Sequence, residues 1–256
     1  MFLFAAASLL IAQAGLPTVE QDRLQLCLRE ARTDPATAIV TASTWLGEAY
    51  GVGRSLPQQC LGTAYVSLLR WQAAENAFLA ARSALLESDH GGRARFAGMA
   101  GNAALAEGRY QAALDDFTLA QADAASSGDG ALSGGIAADR ARALVGLGRT
   151  DDAAAALQQA REMAPQNGTA WLLSATLARR QGDLAAAQQH IETAAALMPG
   201  SAEVGLEAGV IAALAGDEEA ARKSWQSVLA TAPRAPEAQA ARDYLAQLGT
   251  AKEPGR

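Results

Sequence analysis

The sequence predicts an all-α chain of stacked helical hairpins, an α-solenoid closed by a C-terminal capping helix. Three observations carry that expectation. Alanine, the strongest helix former and a small side chain, makes up about a quarter of the 256 residues, while only 5% are aromatic. Such a composition favours closely packed helices and disfavours sheets, which draw on β-branched and aromatic residues. The second half repeats with a period of 34: Pro165, Pro199 and Pro233 share it, as do Gly148, Gly182 and Gly216, then Ala153, Ala187 and Ala221, and finally Ala160, Ala194 and Val228. Each period reads as a helix, a Gly-Arg or Gly-Asp turn, a second helix and a proline stop. Glycine supplies the left-handed end of the first helix, aspartate caps the second, and proline cannot continue it.

The elements follow in order. Residues Phe2 to Ala12 are almost wholly apolar and Ala12-Gln13-Ala14 is a small-x-small site, so residues 1–14 are expected to be a secretory signal peptide cut after Ala14. No Lys or Arg precedes the run, and the competing readings are a buried amphipathic first helix or a misplaced start codon. No later apolar run approaches the ~20 residues of a membrane span, so no stable membrane insertion is expected after cleavage. Residues 15–54 form an N-terminal hairpin, with Leu24, Cys27, Leu28 and Ala31 on one helical face and Asp34-Pro35 opening a second helix toward Trp45. Five units then occupy 55–93, 94–133, 134–167, 168–201 and 202–235. A small column, Gly62, Gly101, Ala141, Ala175 and Gly209, lets the two helices of each hairpin approach closely. A bulky column, Phe78, Phe117, Leu157, Ile191 and Trp225, fills the space between neighbouring hairpins. The first two units step by 39 and 40 residues, and the stretch Ser126 to Gly135, rich in Ser and Gly, reads as a flexible joint holding the extra length. Residues 236–250 read as a capping helix and 251–256 as a disordered tail.

These columns resemble the tetratricopeptide repeat, in an exported bacterial form. The closest unit is Leu61, Gly62, Tyr65, Ala74, Phe78 and Ala81; the third to fifth units each end on a proline. Departures exist: the tyrosine of the first helix survives only at Tyr65, with Ala104, Leu144, Ala178 and Ala212 elsewhere. The resemblance implies a curved array whose leading helices line a groove for a peptide or partner helix. Carried over residue by residue, the lining includes Arg95, Asn102, Arg142, Leu172, Thr176 and Arg179. Arginines there could fork onto carboxylates of an acidic or C-terminal segment; the competing and favoured reading is that they are solvated, paired with nearby acids, or hold the array together.

The chemistry is sparse. A formal charge of −6 argues against nucleic acid as the main partner, and two His and two Cys exclude a rich metal site. No nucleotide-loop, nucleophile-elbow or zinc-helix motif is present, so no catalytic residue, metal or cofactor is expected. His90 reads as a solvated turn residue and His190 as an exposed helix residue. Asp115-Asp116, Asp151-Asp152 and Glu218-Glu219 read as solvated complements of helix dipoles. Asn167-Gly168-Thr169 matches a glycosylation sequon but is more simply a turn and cap. Cys27 and Cys60 lie on leading helices of neighbouring hairpins; in an oxidising compartment they form a disulfide, otherwise two buried thiols. The expected function is a non-catalytic interaction scaffold in the cell envelope, periplasmic or secreted. The alternatives are a self-associating structural protein and an accessory domain of an envelope enzyme.

Overall fold

The computed structural model describes residues 19–250; the expected signal segment and the tail 251–256 lie outside them. The described residues form helices joined by short turns: α1 (Val19–Thr33), α2 (Pro35–Glu48), α3 (Ser55–Ser67), α4 (Trp71–Ala84), α5 (His90–Ala106), α6 (Tyr110–Ser127), α7 (Gly130–Gly146), α8 (Thr150–Met163), α9 (Gly168–Arg180), α10 (Leu184–Leu197), α11 (Ala202–Leu214), α12 (Glu218–Thr231) and α13 (Glu237–Thr250). A single 3-10 turn, Gly51–Arg54, links α2 to α3. Each odd-numbered helix from α3 to α11 leads a hairpin and packs on the trailing helix after it and the one before it; α1 leads the first hairpin and α13 stands alone at the end.

Turn chemistry sets the hairpins. Gly108, Gly148, Gly182 and Gly216 all end leading helices at positive φ, and Leu69 holds the same place in the first unit at φ 56°. A side chain there costs about 1–2 kcal/mol that glycine avoids. Asp183 and Asp217 then cap α10 and α12 by accepting from Ala186 N and Ala220 N, both 2.9 Å. Arg70, Arg109 and Arg149 stand at the equivalent places and give no side-chain cap. Leading helices have their own caps: Asp89 accepts from Gly92 N, Asp129 from Leu132 N and Asn167 from Ala170 N. The sequon asparagine is thus a cap.

Within every hairpin the small and bulky columns meet. Sixteen residues separate the partners each time: Gly62 with Phe78, Gly101 with Phe117, Ala141 with Leu157, Ala175 with Ile191, and Gly209 with Trp225. Glycine stands opposite each aromatic residue and alanine opposite each aliphatic one. A Cβ on Gly101 would lie 2.7 Å from the Phe117 ring, and those on Gly62 and Gly209 would likewise run into Phe78 and Trp225. The bulky residue also reaches the next hairpin, as Phe117 does beside Ile136 and Leu144 in the largest core cluster.

The long steps are not a flexible joint. Helix α6 runs on to Ser127, Gly128 ends it at φ 71°, Asp129 caps, and α7 starts at Gly130. The extra residues lengthen helices: α5, α6 and α7 have 17, 18 and 17 residues against 13 or 14 in the other repeat helices. The expected unit starts at 94 and 134 therefore fall inside α5 and α7. Gly134, read as a flexibility signal, is a close-approach residue; a Cβ there would sit 2.9 Å from the Ala160 carbonyl oxygen of α8.

At the N-terminal end, Cys27 of α1 and Cys60 of α3 are both buried and meet in disulfide geometry with Cα atoms 6.0 Å apart. At the other end, Ala238 and Ala241 of α13 are buried and Tyr244 stacks on Trp225 at 5.0 Å. The capping helix covers the last hairpin.

Gly101→Ala lowers stability by about 1–3 kcal/mol through overpacking. In the Gly101→Ala/Phe117→Leu double variant, which copies the Ala141–Leu157 pair, the two losses are less than additive in urea denaturation. Reducing the Cys27–Cys60 link, which closes a 33-residue loop, costs about 3–4 kcal/mol in the chain-entropy estimate. A Cys27→Ser/Cys60→Ser variant compared with the oxidised chain measures it.

Candidate functional site

Leading helices α5, α7, α9 and α11 touch one another in series. Trailing helices are joined by long side chains instead: Arg82 of α4 donates to Asp123 of α6 at 2.8 Å, and Gln121 of α6 to Gln159 of α8 at 2.9 Å. The leading helices therefore form the shorter, inner wall of the stack.

Two clefts open on that wall, at the same position of the repeat. Between α3 and α5, a cleft of about 260 Å³ is lined by Thr63, Val66, Phe78, Met99, Asn102 and Ala103, with Trp71 at its side. Between α7 and α9, a cleft of about 200 Å³ is lined by Arg142, Val145, Leu157, Leu173, Thr176, Leu177 and Arg180. Each floor includes the bulky residue of the preceding hairpin and the residue two before the small residue of the next: Phe78 and Met99 in one, Leu157 and Leu173 in the other. Both fall below the ~300–1,000 Å³ of cofactor pockets and suit a single side chain. The joint between the two clefts and the joint after the second are each bridged. Asn102 of α5 donates to Asp139 of α7 at 3.0 Å, and Arg179 of α9 forks onto Glu207 of α11 at 2.7 and 3.3 Å. Charge separates the two clefts. The second has Arg142 and Arg180 on its rim. Arg142 reaches only Asp139 of its own helix, at 3.4 Å, and Arg180 has no carboxylate partner among the described residues. The first carries no charge.

The sequence-derived lining divides accordingly. Arg142 and Thr176 line the second cleft, and Asn102 borders the first while closing its neighbour. Leu172 does not face the groove; it is 8% exposed in the core with Ile191 and Val204. Its neighbour Leu173, one residue and so 100° further round the helix, takes that place. Arg179 is engaged by Glu207. Arg95 lies apart, at the start of α5, 3.8 Å from Asp129. The register itself could have found Leu173 and Met99, since each precedes its small-column residue by two.

The outer side corrects two further expectations. Asp116 is no solvated dipole complement: it is buried, its Oδ2 has no hydrogen-bond partner, and its pKa is pushed up to about 7 by burial and then by Glu75. Glu75, also buried, binds Arg109, whose guanidinium is held firmly protonated by that bond. The cluster joins α4 to α6, and neither inner-wall cleft reaches it. His190 is half-buried against Trp171 at 5.6 Å; burial, and then Arg161, lowers its pKa. Arg161 lies over the same ring, donates to Ser174 Oγ, and is itself lowered by burial. Among the described residues no group of three or more His, Cys, Asp or Glu could hold a metal ion, and no helix is long and apolar enough to cross a membrane. Because Asp116 binds its proton more tightly folded than unfolded, its contribution to stability is full below about pH 4 and is lost as pH rises through about 7. Asp116→Asn removes this loss and gains about 1–3 kcal/mol at pH 8 but little at pH 4, read from urea titrations.

Comparison with known proteins agrees with this architecture. A family model of the tetratricopeptide repeat matches residues 138–202 and 172–238. No curated protein matches by sequence. Among solved structures, the type IV pilus biogenesis factor PilW is similar at TM-score 0.67 and 18% identity, over 88% of this chain and 99% of that one. PilF of Pseudomonas aeruginosa gives 0.66 and 15%, over 88% and 97%. YrrB, a repeat protein with an unusual peptide-binding site, gives 0.50 and 21%, over 74% and 92%. At such identities the likeness is one of fold. The repeat match over residues 138–238, the paired columns and the helix stack together identify the fold as an all-α solenoid of tetratricopeptide-repeat type.

Proposed function

We propose that the chain is a non-catalytic scaffold of the cell envelope that binds an extended peptide or partner helix along its inner wall. The observation that carries the reading is the pair of register-equivalent clefts, open while the joints beside them are shut by Asn102–Asp139 and Arg179–Glu207. Each cleft takes one apolar side chain. The rim of the second adds two arginines, so the segment seated there carries a carboxylate next to its apolar anchor. Pilus biogenesis factors of the same fold, the apolar segment before α1 and the Cys27–Cys60 pair support an envelope location.

In-cell photo-crosslinking tests both parts. A photoreactive residue at Leu173 yields a discrete adduct with another protein, and one at the exposed Gln158 of α8 yields none. Arg142→Ala/Arg180→Ala reduces the adduct at least about tenfold, the scale of ~1.4 kcal/mol. Adducts of equal strength at both positions, or none at Leu173, would overturn groove binding. Recovery of the chain only in the cytoplasmic fraction would overturn the envelope location.

A further inference from the structure

The two ends of the stack are finished differently. On α13 the exposed side is polar, with Gln239, Arg242 and Asp243 bonded to one another or to the preceding loop. Helix α1 instead exposes two large apolar side chains, Val19 at 81% and Leu26 at 60%. Its buried residues are Leu24, Cys27 and Ala31, so the opposite side of the helix is the stripe Val19, Asp22, Leu26, Arg29 and Thr33. Asp22 and Arg29 have no ion-pair partner among the described residues, although Arg23, on the flank, pairs with Glu48 at 2.9 Å and covers Trp45.

We propose that this stripe is a docking face for a second copy of the chain, in an antiparallel α1–α1 contact about a two-fold axis near Leu26. The argument is self-complementarity. Asp22 lies four residues before Leu26 and Arg29 three after it, so at about 1.5 Å per residue they stand nearly equidistant from the axis. The two-fold operation brings Leu26 onto its copy and places Asp22 opposite the copy's Arg29, twice per dimer. The stripe's charges attract in that arrangement and would be like-on-like in a parallel one. The outward residues of the adjacent α2, Ala36, Val40, Ser43 and Gly47, carry no charge and add no repulsion. A contact of one helix per partner is small, so the dimer is weak and weakens with salt. It leaves both inner-wall clefts untouched, so it does not rest on groove binding.

Sedimentation velocity of the purified chain over about 1 μM to 1 mM tests it, with circular dichroism to show that each variant folds. The expected result is a concentration-dependent rise from monomer to dimer mass at low salt, shifted to higher concentration at 0.5 M salt. Asp22→Arg and Arg29→Asp each weaken the dimer at least tenfold, Leu26→Asp abolishes it, and Asp22→Arg/Arg29→Asp restores it. A chain that stays monomeric throughout, a dimer indifferent to these substitutions, or a double reversal no better than the single ones would each overturn the proposal.

Discussion

The fit of one bulky side chain onto one small residue, sixteen positions earlier, is the constraint on which the rest of this structure depends. Helix propensity alone gives helices; it does not say how near two of them stand. Phe117 lying on the bare backbone of Gly101 fixes that distance for its hairpin, and Leu157 on Ala141 does so for the next. The exchange of glycine for alanine as the facing residue shrinks keeps the separation within reach of close packing, since interiors tolerate neither a void nor an extra methylene. A single hairpin cannot bury both sides of its bulky residue. Phe117 and its counterparts therefore also bind one hairpin to the following one, which makes the array cohere.

The inner wall inherits its geometry from that repeat. Once the hairpins stack at a set spacing, every joint between leading helices presents the same opening, with the bulky residue of one unit at its floor. Side chains then decide whether it stays open. Asn102 and Asp139, or Arg179 and Glu207, bridge and close; Thr63 beside Met99, or Val145 beside Leu173, leave space. Fold and surface are thus separable: one column builds the wall, and the residues next to it in sequence decide which of its joints are open.

Much of this was legible in the residues. The period of 34, the Gly-Asp turns and the two columns named the hairpins and their partners, because these features arise from local backbone chemistry and from one recurrent contact. The places that resisted were those where a single step of 100° or a tertiary neighbour decides. Leu172 and Leu173 are indistinguishable by composition, and only their offset from Ala175 separates core from cleft. The Ser126 to Gly135 stretch looks like a linker until Gly128 and Asp129 are recognised as consecutive stop and start signals, and Gly134 as the point where α7 meets α8. Asp116 reads as one of a solvated acidic pair; in the fold it is buried, and the charges acting on it, Glu75 and Arg109, come from a different hairpin and a turn.

The bridges between hairpins also have a mechanical meaning. At the joint between the α3–α4 and α5–α6 hairpins, the ties lie on the outside, Arg82 to Asp123 and Arg109 to Glu75, while the inside stands open. Between α9 and α11 the tie is on the inside, Arg179 to Glu207. A joint tied along one edge keeps one soft rotation, about that edge. These two joints are therefore pinned on opposite sides, while the joint between the α5–α6 and α7–α8 hairpins is bridged on both, Asn102 to Asp139 inside and Gln121 to Gln159 outside. The joint between α4 and α5 yields by spreading its inner cleft and the one between α10 and α11 by spreading its outer face, so a load that straightens the array is taken up at the former and resisted at the latter.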